Sequence, residues 1–366
     1  MLGASRWGPG ARFLLIAACI VVLAWGLKAA APILLPFSLA LFLAILSLPI
    51  LLTLQSRGVP SLLAVLITLL VDLAVLGMIV LLGMQSVAEF QDRLPNYAAR
   101  LQALLDHWVD QAQEHGIPAG EYITQDIVSV GAVADVVGTA LQRIAFFLGN
   151  AFLVVLIMLF MLSEATVFPT KFRAILGDET GDMGRFAQII GEVQEYLLIK
   201  TLISLATGLC IGGFAWLMGL DFPILLGLIG FILNYVPTIG SIIASVPAIL
   251  LAMLQFEGVG PPFMVAMGYL AINVVFGNLL EPSLMGRRLG LSTLVVILSL
   301  VFWAWVWGPV GALLAVPLTM VVKIGLEHTD DLRWMAVLLD KEPPTPPPTT
   351  PPRLHTLGAE REGGFP

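Results

Sequence analysis

Two related stretches decide the fold: NYVPTIGSIIASVP at residues 234–247 and PVGALLAVP at residues 309–317. In each, a proline is followed two or three residues later by a glycine, then by small and apolar residues up to a second proline. Proline removes a backbone hydrogen-bond donor, and glycine permits a turn. The repeated pattern therefore predicts two similar breaks in helical structure.

Each break lies midway along an uncharged segment, residues 222–256 and 289–322. A straight helix of about 34 residues is about 51 Å long, whereas the core of a bilayer is about 30 Å thick. Each segment is thus too long for one crossing and too short for two crossings with a turn. We predict two bent hairpins that enter the membrane and turn back. Two ordinary pairs of short helices, joined by proline-containing turns, are the alternative.

The composition places the rest of the chain in a membrane as well. Of 366 residues, 58% are hydrophobic and 12% charged, and the mean hydropathy is +0.95. These values predict an all-α polytopic integral membrane protein with about six full transmembrane helices beside the two hairpins. Cys19 and Cys210 lie in apolar runs, so no disulfide framework is indicated. The net charge of −7 gives no reason to expect nucleic acid as a partner.

Hydropathy places the six helices at residues 13–31, 33–54, 61–84, 144–163, 198–220 and 261–281. Residues 1–31 resemble a signal peptide, but a second apolar run follows at once, so we expect a retained first helix. The predicted regions are a scaffold of helices 1 to 3 (1–84), an extracytoplasmic helical cap (85–143), helix 4 with a cytoplasmic amphipathic segment (144–197), a transport region of helix 5, hairpin 1, helix 6 and hairpin 2 (198–325), and a cytoplasmic Pro-rich disordered tail (326–366).

The basic residues set the predicted orientation. With the N-terminus in the cytoplasm, only four of the 18 Lys and Arg residues fall outside: Lys28, Arg93, Arg100 and Arg143. Both termini are then cytoplasmic. Helix plus hairpin occurs twice with opposite orientation, which is an inverted repeat. Such repeats meet near the membrane midplane and alternate access by moving against a scaffold.

No enzyme signature occurs in the chain. It has no P-loop, no metal-spaced His or Cys cluster and no G-x-S-x-G, so we expect neither catalysis nor a cofactor nor a metal site. Without a nucleotide site, transport has to be secondary or passive.

Polar and backbone-exposing residues at membrane depth are the candidates for binding a small-molecule substrate. For each Asn and Ser the alternative role is a hydrogen bond between helices. The Trp303, Trp305 and Trp307 group either packs or lines a pocket. The candidate substrate-binding residues are Asn234, Pro237, Thr238, Gly240, Ser241, Asn273, Asn278, Pro309 and Gly311.

Two carboxylates are candidates for coupling transport to a proton or Na⁺. Asp72 lies in the middle of helix 3, where an ionised group is expensive, so it is either a coupling site or a structural partner of a polar group on another helix. Glu281 lies nearer the cytoplasmic end of helix 6 and either takes part in coupling or pairs with Arg287 or Arg288 as an anchor.

The sequence resembles the autoinducer-2 exporter family of bacterial inner-membrane proteins. The resemblance is carried by the two stretches quoted first and by GNLLEPSLMGRRLGLS at residues 277–292, and it extends to about residue 330. It implies export of the quorum-sensing furanone autoinducer-2, sodium or lithium exchange for protons in some members, and homo-oligomers. Many relatives carry an acidic residue where this chain has Phe276, which argues against cation exchange here.

Three hypotheses follow. The first is a secondary transporter or facilitator that exports autoinducer-2 or a similar small polar metabolite across the inner membrane. The second is a Na⁺(Li⁺)/H⁺ antiporter that uses Asp72 or Glu281. The third is a non-transporting membrane scaffold that gathers partners through the cap and the tail.

Overall fold

A computed structural model describes residues 9–114, 151–165, 167, 182–237, 239–285, 291–327 and 333–340, and no strand occurs among them. Five of the helices in these ranges are long and apolar enough to cross a membrane. The fold is therefore that of an all-α polytopic membrane protein, as predicted. Its helices are α1 (Pro9–Ala29), α2 (Ala31–Ser56), α3 (Ser61–Glu114), α4 (Ala151–Ala165), α5 (Asp182–Leu217), α6 (Pro223–Leu233), α7 (Ile239–Gln255), α8 (Gly260–Asn273), a π-helix (Val274–Leu280), α9 (Glu281–Met285), α10 (Thr293–Leu313), α11 (Ala315–Glu327) and α12 (Arg333–Leu339).

The first two helices join without a loop. A single residue, Ala30, separates α1 from α2, and its backbone angles (φ −82°, ψ 0°) lie near the helical region. The helix bounds predicted from hydropathy, 13–31 and 33–54, leave Pro32 between the two helices, but Pro32 lies in the first turn of α2. A backbone N–H at that position would have no partner within the helix, so proline is tolerated there.

Two further helices are longer than predicted. α3 has 54 residues, about 81 Å at 1.5 Å per residue, so it extends far beyond a bilayer core of about 30 Å. The first part of the predicted cap is thus a continuation of helix 3 rather than a separate helix, and Pro95 lies within it. The rest of the cap lies outside the described residues. α5 begins at Asp182, so the predicted amphipathic surface segment is continuous with helix 5.

Helices α6 and α7 form hairpin 1, and its two ends meet. The Gln255 side chain at the end of α7 accepts a hydrogen bond from the backbone N–H of Asp221 (2.9 Å) and donates one to the carbonyl of Gly219 (2.7 Å). The midpoint between Asp221 and Gln255 is residue 238, inside the predicted break. At about 17 and 26 Å, α6 (11 residues) and α7 (17 residues) are each shorter than a bilayer core of about 30 Å, as a hairpin that bends within the membrane requires.

Helices α10 and α11 form hairpin 2 in the same way. The indole N–H of Trp303 donates to the Thr319 hydroxyl (3.1 Å), and Gly311 lies midway between these two residues. The helical backbone is interrupted at Gly308, whose φ of 67° and ψ of −149° are readily adopted only by glycine. The start of α10 and the end of α11 both lie near α12. The backbone N–H of Ser292 donates to the carbonyl of Leu339, and Lys323 pairs with Asp340.

The two hairpins open on opposite membrane surfaces. The segment between them, Gly260–Met285, is a 26-residue apolar helix long enough to cross the bilayer once. A chain that enters it from the open end of hairpin 1 therefore leaves it on the other side. The region assigned to the tail begins with a short helix, α12, while the Pro-rich part beyond Asp340 lies outside the described residues.

Each bend contains a glycine in direct contact with backbone that precedes it: Gly240 of α7 meets the end of α6, and Gly311 meets Trp303 within α10, across the interruption at Gly308. A methyl group added at Gly240 would overlap the carbonyl oxygen of Leu233, and one added at Gly311 would overlap that of Trp303. We therefore predict that Gly240→Ala and Gly311→Ala each lower the free energy of unfolding by about 1–3 kcal/mol, the usual cost of overpacking.

The measurement is the thermal midpoint of the purified protein in detergent. Gly213→Ala is the matched control, because a methyl group there meets nothing within 4 Å. Equal midpoints for all three variants would contradict the close contact at the bends.

Candidate functional site

The site is built on the close packing of α5 against α6. Gly208 and Gly227 face each other, and a methyl group on Gly208 would lie only 2.7 Å from the Gly227 carbonyl oxygen. Small residues of this kind let membrane helices approach closely. The two antiparallel helices thereby bring the break of hairpin 1 against the middle of α5.

Neutral polar groups meet at that point. The Asn234 amide, at the end of α6, is buried and donates to the Ser204 hydroxyl of α5 (3.0 Å). The Tyr235 hydroxyl donates to that of Thr201 (2.8 Å), which in turn donates to the carbonyl of Leu197. The predicted candidate Asn234 therefore sits in a hydrogen-bond network between the bend and α5.

A buried ion pair lies next to this network. Lys200 of α5 is 1% exposed, and its ammonium group is 2.6 Å from a carboxylate oxygen of Glu281. We expected Lys200 to face the cytoplasm at the start of helix 5. In the structure α5 begins 18 residues earlier, and Lys200 is buried against Glu281 within the helix. The suggested partners of Glu281, Arg287 and Arg288, lie outside the described residues.

The transmembrane helix opposite α5 changes its winding beside the site. Val274–Leu280 is a π-helix, in which hydrogen bonds join residues five apart, and such segments occur frequently at functional sites. Asn278 lies within it and is exposed, while the half-buried Asn273 ends the preceding α-helix. The α-helical spacing of three and four residues therefore does not relate Asn278 to Glu281 here.

Antiparallel packing sets which residues of α5 are level with the π-helix. Lys200 pairs with Glu281, and Gly268 packs so closely on Phe214 that a methyl group there would overlap its ring. Between these two contacts α5 presents Ser204 and Thr207 at the level of the π-helix. The Thr207 hydroxyl is buried and has no hydrogen-bond partner among the described residues. An orphaned hydroxyl at this depth is a polar group available to a solute or to water.

Among the described residues, Val236 joins the bend of hairpin 1 to that of hairpin 2. Val236, in the break of hairpin 1, packs against a cluster at the bend of hairpin 2: Leu300, Trp303, Val306, Trp307 and Ala315.

Of the other candidates at the bends, Gly240 and Gly311 are buried, Pro237 and Ser241 are half-buried, and Pro309 is exposed. Thr238 lies outside the described residues.

The tryptophans ahead of Gly308 serve packing. Trp303 and Trp307 are buried with ring centroids 5.0 Å apart, and Trp307 donates its indole N–H to the carbonyl of Leu27. Trp305 is half exposed, with the Lys28 ammonium 4.3 Å from its ring centroid. These contacts join hairpin 2 to the end of α1.

Asp72 belongs to a different part of the molecule. One of its carboxylate oxygens accepts a hydrogen bond from Ser47 of α2 (2.9 Å), and the other is buried without a partner among the described residues. The Ser47 contact links α3 to α2, in the scaffold, whereas the contacts of Glu281 and Asn234 lie on α5. Asp72 is thus not joined to the site at the bend of hairpin 1.

The polar side of α5 is the part of the site that we did not predict. Tyr196, Lys200, Ser204 and Thr207 recur along α5 at steps of four, four and three. That is the spacing of one helical face, so the signal was present in the sequence.

Comparisons with known proteins give one family. The family model of AI-2E family transporters matches residues 13–331. The AI-2 transport protein TqsA of Escherichia coli is 39% identical over 90% of this chain and 96% of its own length. A putative transport protein of Haemophilus influenzae is 40% identical over 88% of this chain and 94% of its own, and the putative transport protein YhhT of Escherichia coli is 36% identical over 90% and 94%.

The ion pair gives a test of the site's geometry. Removing one partner of a buried pair costs about 3–5 kcal/mol, whereas replacing both with neutral groups is often harmless. We predict that Lys200→Met sharply lowers the thermal midpoint in detergent and that Lys200→Met with Glu281→Gln restores most of it.

Arg57→Gln is the control, since it removes a positive charge from an exposed turn. A double variant as unstable as Lys200→Met alone would show that Lys200 and Glu281 do not form the pair.

Proposed function

The chain belongs to the AI-2E transporter family, and from this premise we propose that it exports a small polar metabolite, autoinducer-2 first among the candidates. Two findings outside the site support the proposal. The relative TqsA, whose name specifies transport of AI-2, aligns with 90% of this chain. The family model covers both hairpins and the helices between them.

The observation that carries the proposal is the hydrogen-bond network at the bend of hairpin 1. It consists of neutral groups: the amide of Asn234 bonds to the hydroxyl of Ser204, and the hydroxyl of Tyr235 bonds to that of Thr201. Hydrogen bonds between side chains in membrane proteins average only about 0.6 kcal/mol. A small solute with several hydroxyl or carbonyl groups therefore replaces them at little cost. Thr207, which has no partner among the described residues, offers it a further hydroxyl.

The arrangement of charge favours an uncharged solute. Lys200 and Glu281 neutralise each other beside the network, so the site as a whole carries no net charge. A charged solute would have to compete with one member of this pair, which would leave the other unpaired at membrane depth. Autoinducer-2, as a small polar furanone, needs no such exchange.

Alternating access follows from the two bends. Each hairpin opens on one surface, and the bends touch through Val236 and the tryptophan cluster. A shift of hairpin 1 against α5 and α8 exposes the network to one surface, and the opposite shift exposes it to the other. α2, α3 and α4 form the scaffold for this movement. We place the protein in the bacterial inner membrane with both termini in the cytoplasm, as a homo-oligomer.

Exchange of Na⁺ or Li⁺ for protons is the second candidate. The buried, unpartnered oxygen of Asp72 favours it, because an acceptor oxygen at membrane depth can bind a proton or a cation. Asp72 lies apart from the network, so the two candidate functions are separable by mutation.

Flux from proteoliposomes loaded with autoinducer-2 tests the first function. We predict that Asn234→Leu and Ser204→Ala each lower the rate at subsaturating substrate by about tenfold, since each removes a contact with the solute. Ser245→Ala, also on hairpin 1 but bonded only to its own helix, leaves the rate unchanged. No flux above empty liposomes would reject the export function and favour the non-transporting scaffold.

Asp72→Asn tests the second function. We expect wild-type protein not to discharge a pH gradient when Na⁺ is added, and Asp72→Asn to keep autoinducer-2 flux within about twofold of wild type. Fluorescence of a pH-sensitive dye inside the liposomes measures the first quantity. Discharge by Na⁺ that is lost in Asp72→Asn would instead establish the antiporter.

A further inference from the structure

The open end of hairpin 1 is held by a helix outside the hairpin. Arg93 of α3 pairs with the Asp221 carboxylate (2.7 Å), and the Tyr97 hydroxyl donates to the same carboxylate. Arg100 donates to the carbonyls of Leu254 and Gln255 (3.1 Å each), at the end of α7. α3 thus contacts the beginning and the end of the hairpin at once.

The open end of hairpin 2 is held in the same way by α12. The backbone N–H of Ser292, just before α10, donates to the Leu339 carbonyl (3.1 Å). Lys323, near the end of α11 and 8% exposed, is 2.8 Å from the Asp340 carboxylate. Both arms are again joined through one outside segment.

The two ends share a further detail. Each cation also contacts a carboxylate four residues away on its own helix: Arg93 contacts Glu89 (3.0 Å), and Lys323 contacts Glu327 (3.5 Å). These contacts stay within one helix and join nothing to a hairpin. Of these four carboxylates, Asp221 and Asp340 are the two that bridge separate segments, so each bridge has a control of the same charge in Glu89 or Glu327.

We propose that these two sets of contacts hold the arms of each hairpin together throughout transport. The first set, called the α3 clasp, joins Arg93, Tyr97 and Arg100 to Asp221 and the end of α7. The second, called the α12 clasp, joins Ser292 and Lys323 to Leu339 and Asp340. Asp221 and Asp340 are then positioning residues for the site at the bends. The inference rests on the proposed function, because it takes the bends to be where the solute binds.

Geometry explains why the clasps are needed. Each hairpin is interrupted at its bend, so the bend alone does not fix the angle between the arms. The position of Asn234 against Ser204 depends on that angle. In the α3 clasp the Tyr97 pKa is raised, first by burial and then by its bond to Asp221, so Tyr97 remains a hydrogen-bond donor at physiological pH.

Variants of the full-length chain in proteoliposomes test the inference by autoinducer-2 flux. Asp221→Asn and Asp340→Asn are each expected to lower the ratio of maximal rate to apparent KM at least about threefold, because a changed angle between the arms displaces the groups at the bends that bind the solute. The controls Glu89→Gln and Glu327→Gln leave both parameters unchanged, and Asp221→Glu restores most of the rate. Asp variants that match the controls would overturn the proposal.

A covalent clasp provides the complementary test. In a background with the exposed Cys19 and Cys210 replaced by serine, Ser292→Cys and Leu339→Cys place two cysteines on residues whose backbones are hydrogen-bonded, a separation suited to a disulfide. If the clasp stays closed during transport, the oxidised protein transports as fast as the reduced one. Loss of transport on oxidation, reversed by reductant, would show that the clasp must open.

Hydrogen exchange separates failure of this inference from failure of the proposed function, since it needs no substrate. Asp221→Asn is expected to speed exchange in α6, and Asp340→Asn in the first turns of α10, relative to the two glutamine controls. Wild-type protein without flux but with these differences would reject export and keep the clasps. Wild-type protein with flux and no differences in exchange would reject the clasps and keep export.

Discussion

Every backbone amide and carbonyl inside a bilayer needs a partner within the protein, because lipid offers none. A helix that bends at membrane depth is therefore stable only where other parts of the chain cover the bend. Here hairpin 1 is covered by α5, whose Ser204 and Thr201 accept hydrogen bonds from the side chains of Asn234 and Tyr235. Hairpin 2 is covered by the end of α1 and by Val236 of hairpin 1. At hairpin 1 the same contacts that stabilise the bend create a polar region between it and α5.

The charges of this region are placed so that the membrane tolerates them. Lys200 would be costly on its own at 1% exposure, but Glu281 neutralises it within hydrogen-bonding distance. The remaining groups of the network are hydroxyls and amides, which exchange partners more readily than ions. The site therefore combines a fixed ionic contact with neutral groups that a solute can displace, as release of a small polar molecule requires.

The bends were predictable because the proline and glycine signal is local, although the interruption of hairpin 2 falls at Gly308 rather than at Gly311. The polar face of α5 was missed because we expected helix 5 to begin at residue 198, next to Lys200. In the structure α5 begins at Asp182, so Lys200 lies within the helix. The π-helix was equally inaccessible, since spacing arguments assume the α-helical repeat. The partner of Asp72, Ser47 of α2, belongs to the class of polar group on another helix that we named from the sequence.

Contact between the two bends inside the membrane is the central claim, and cross-linking tests it most directly. Val236→Cys and Ala312→Cys, in a chain without Cys19 and Cys210, place one thiol in each bend, both beside the tryptophan cluster. The account predicts that a short bismaleimide joins them within one chain in native membranes, as detected by mass spectrometry of the linked peptides. No cross-link, with each thiol labelled instead by an impermeant maleimide from opposite surfaces, would contradict it.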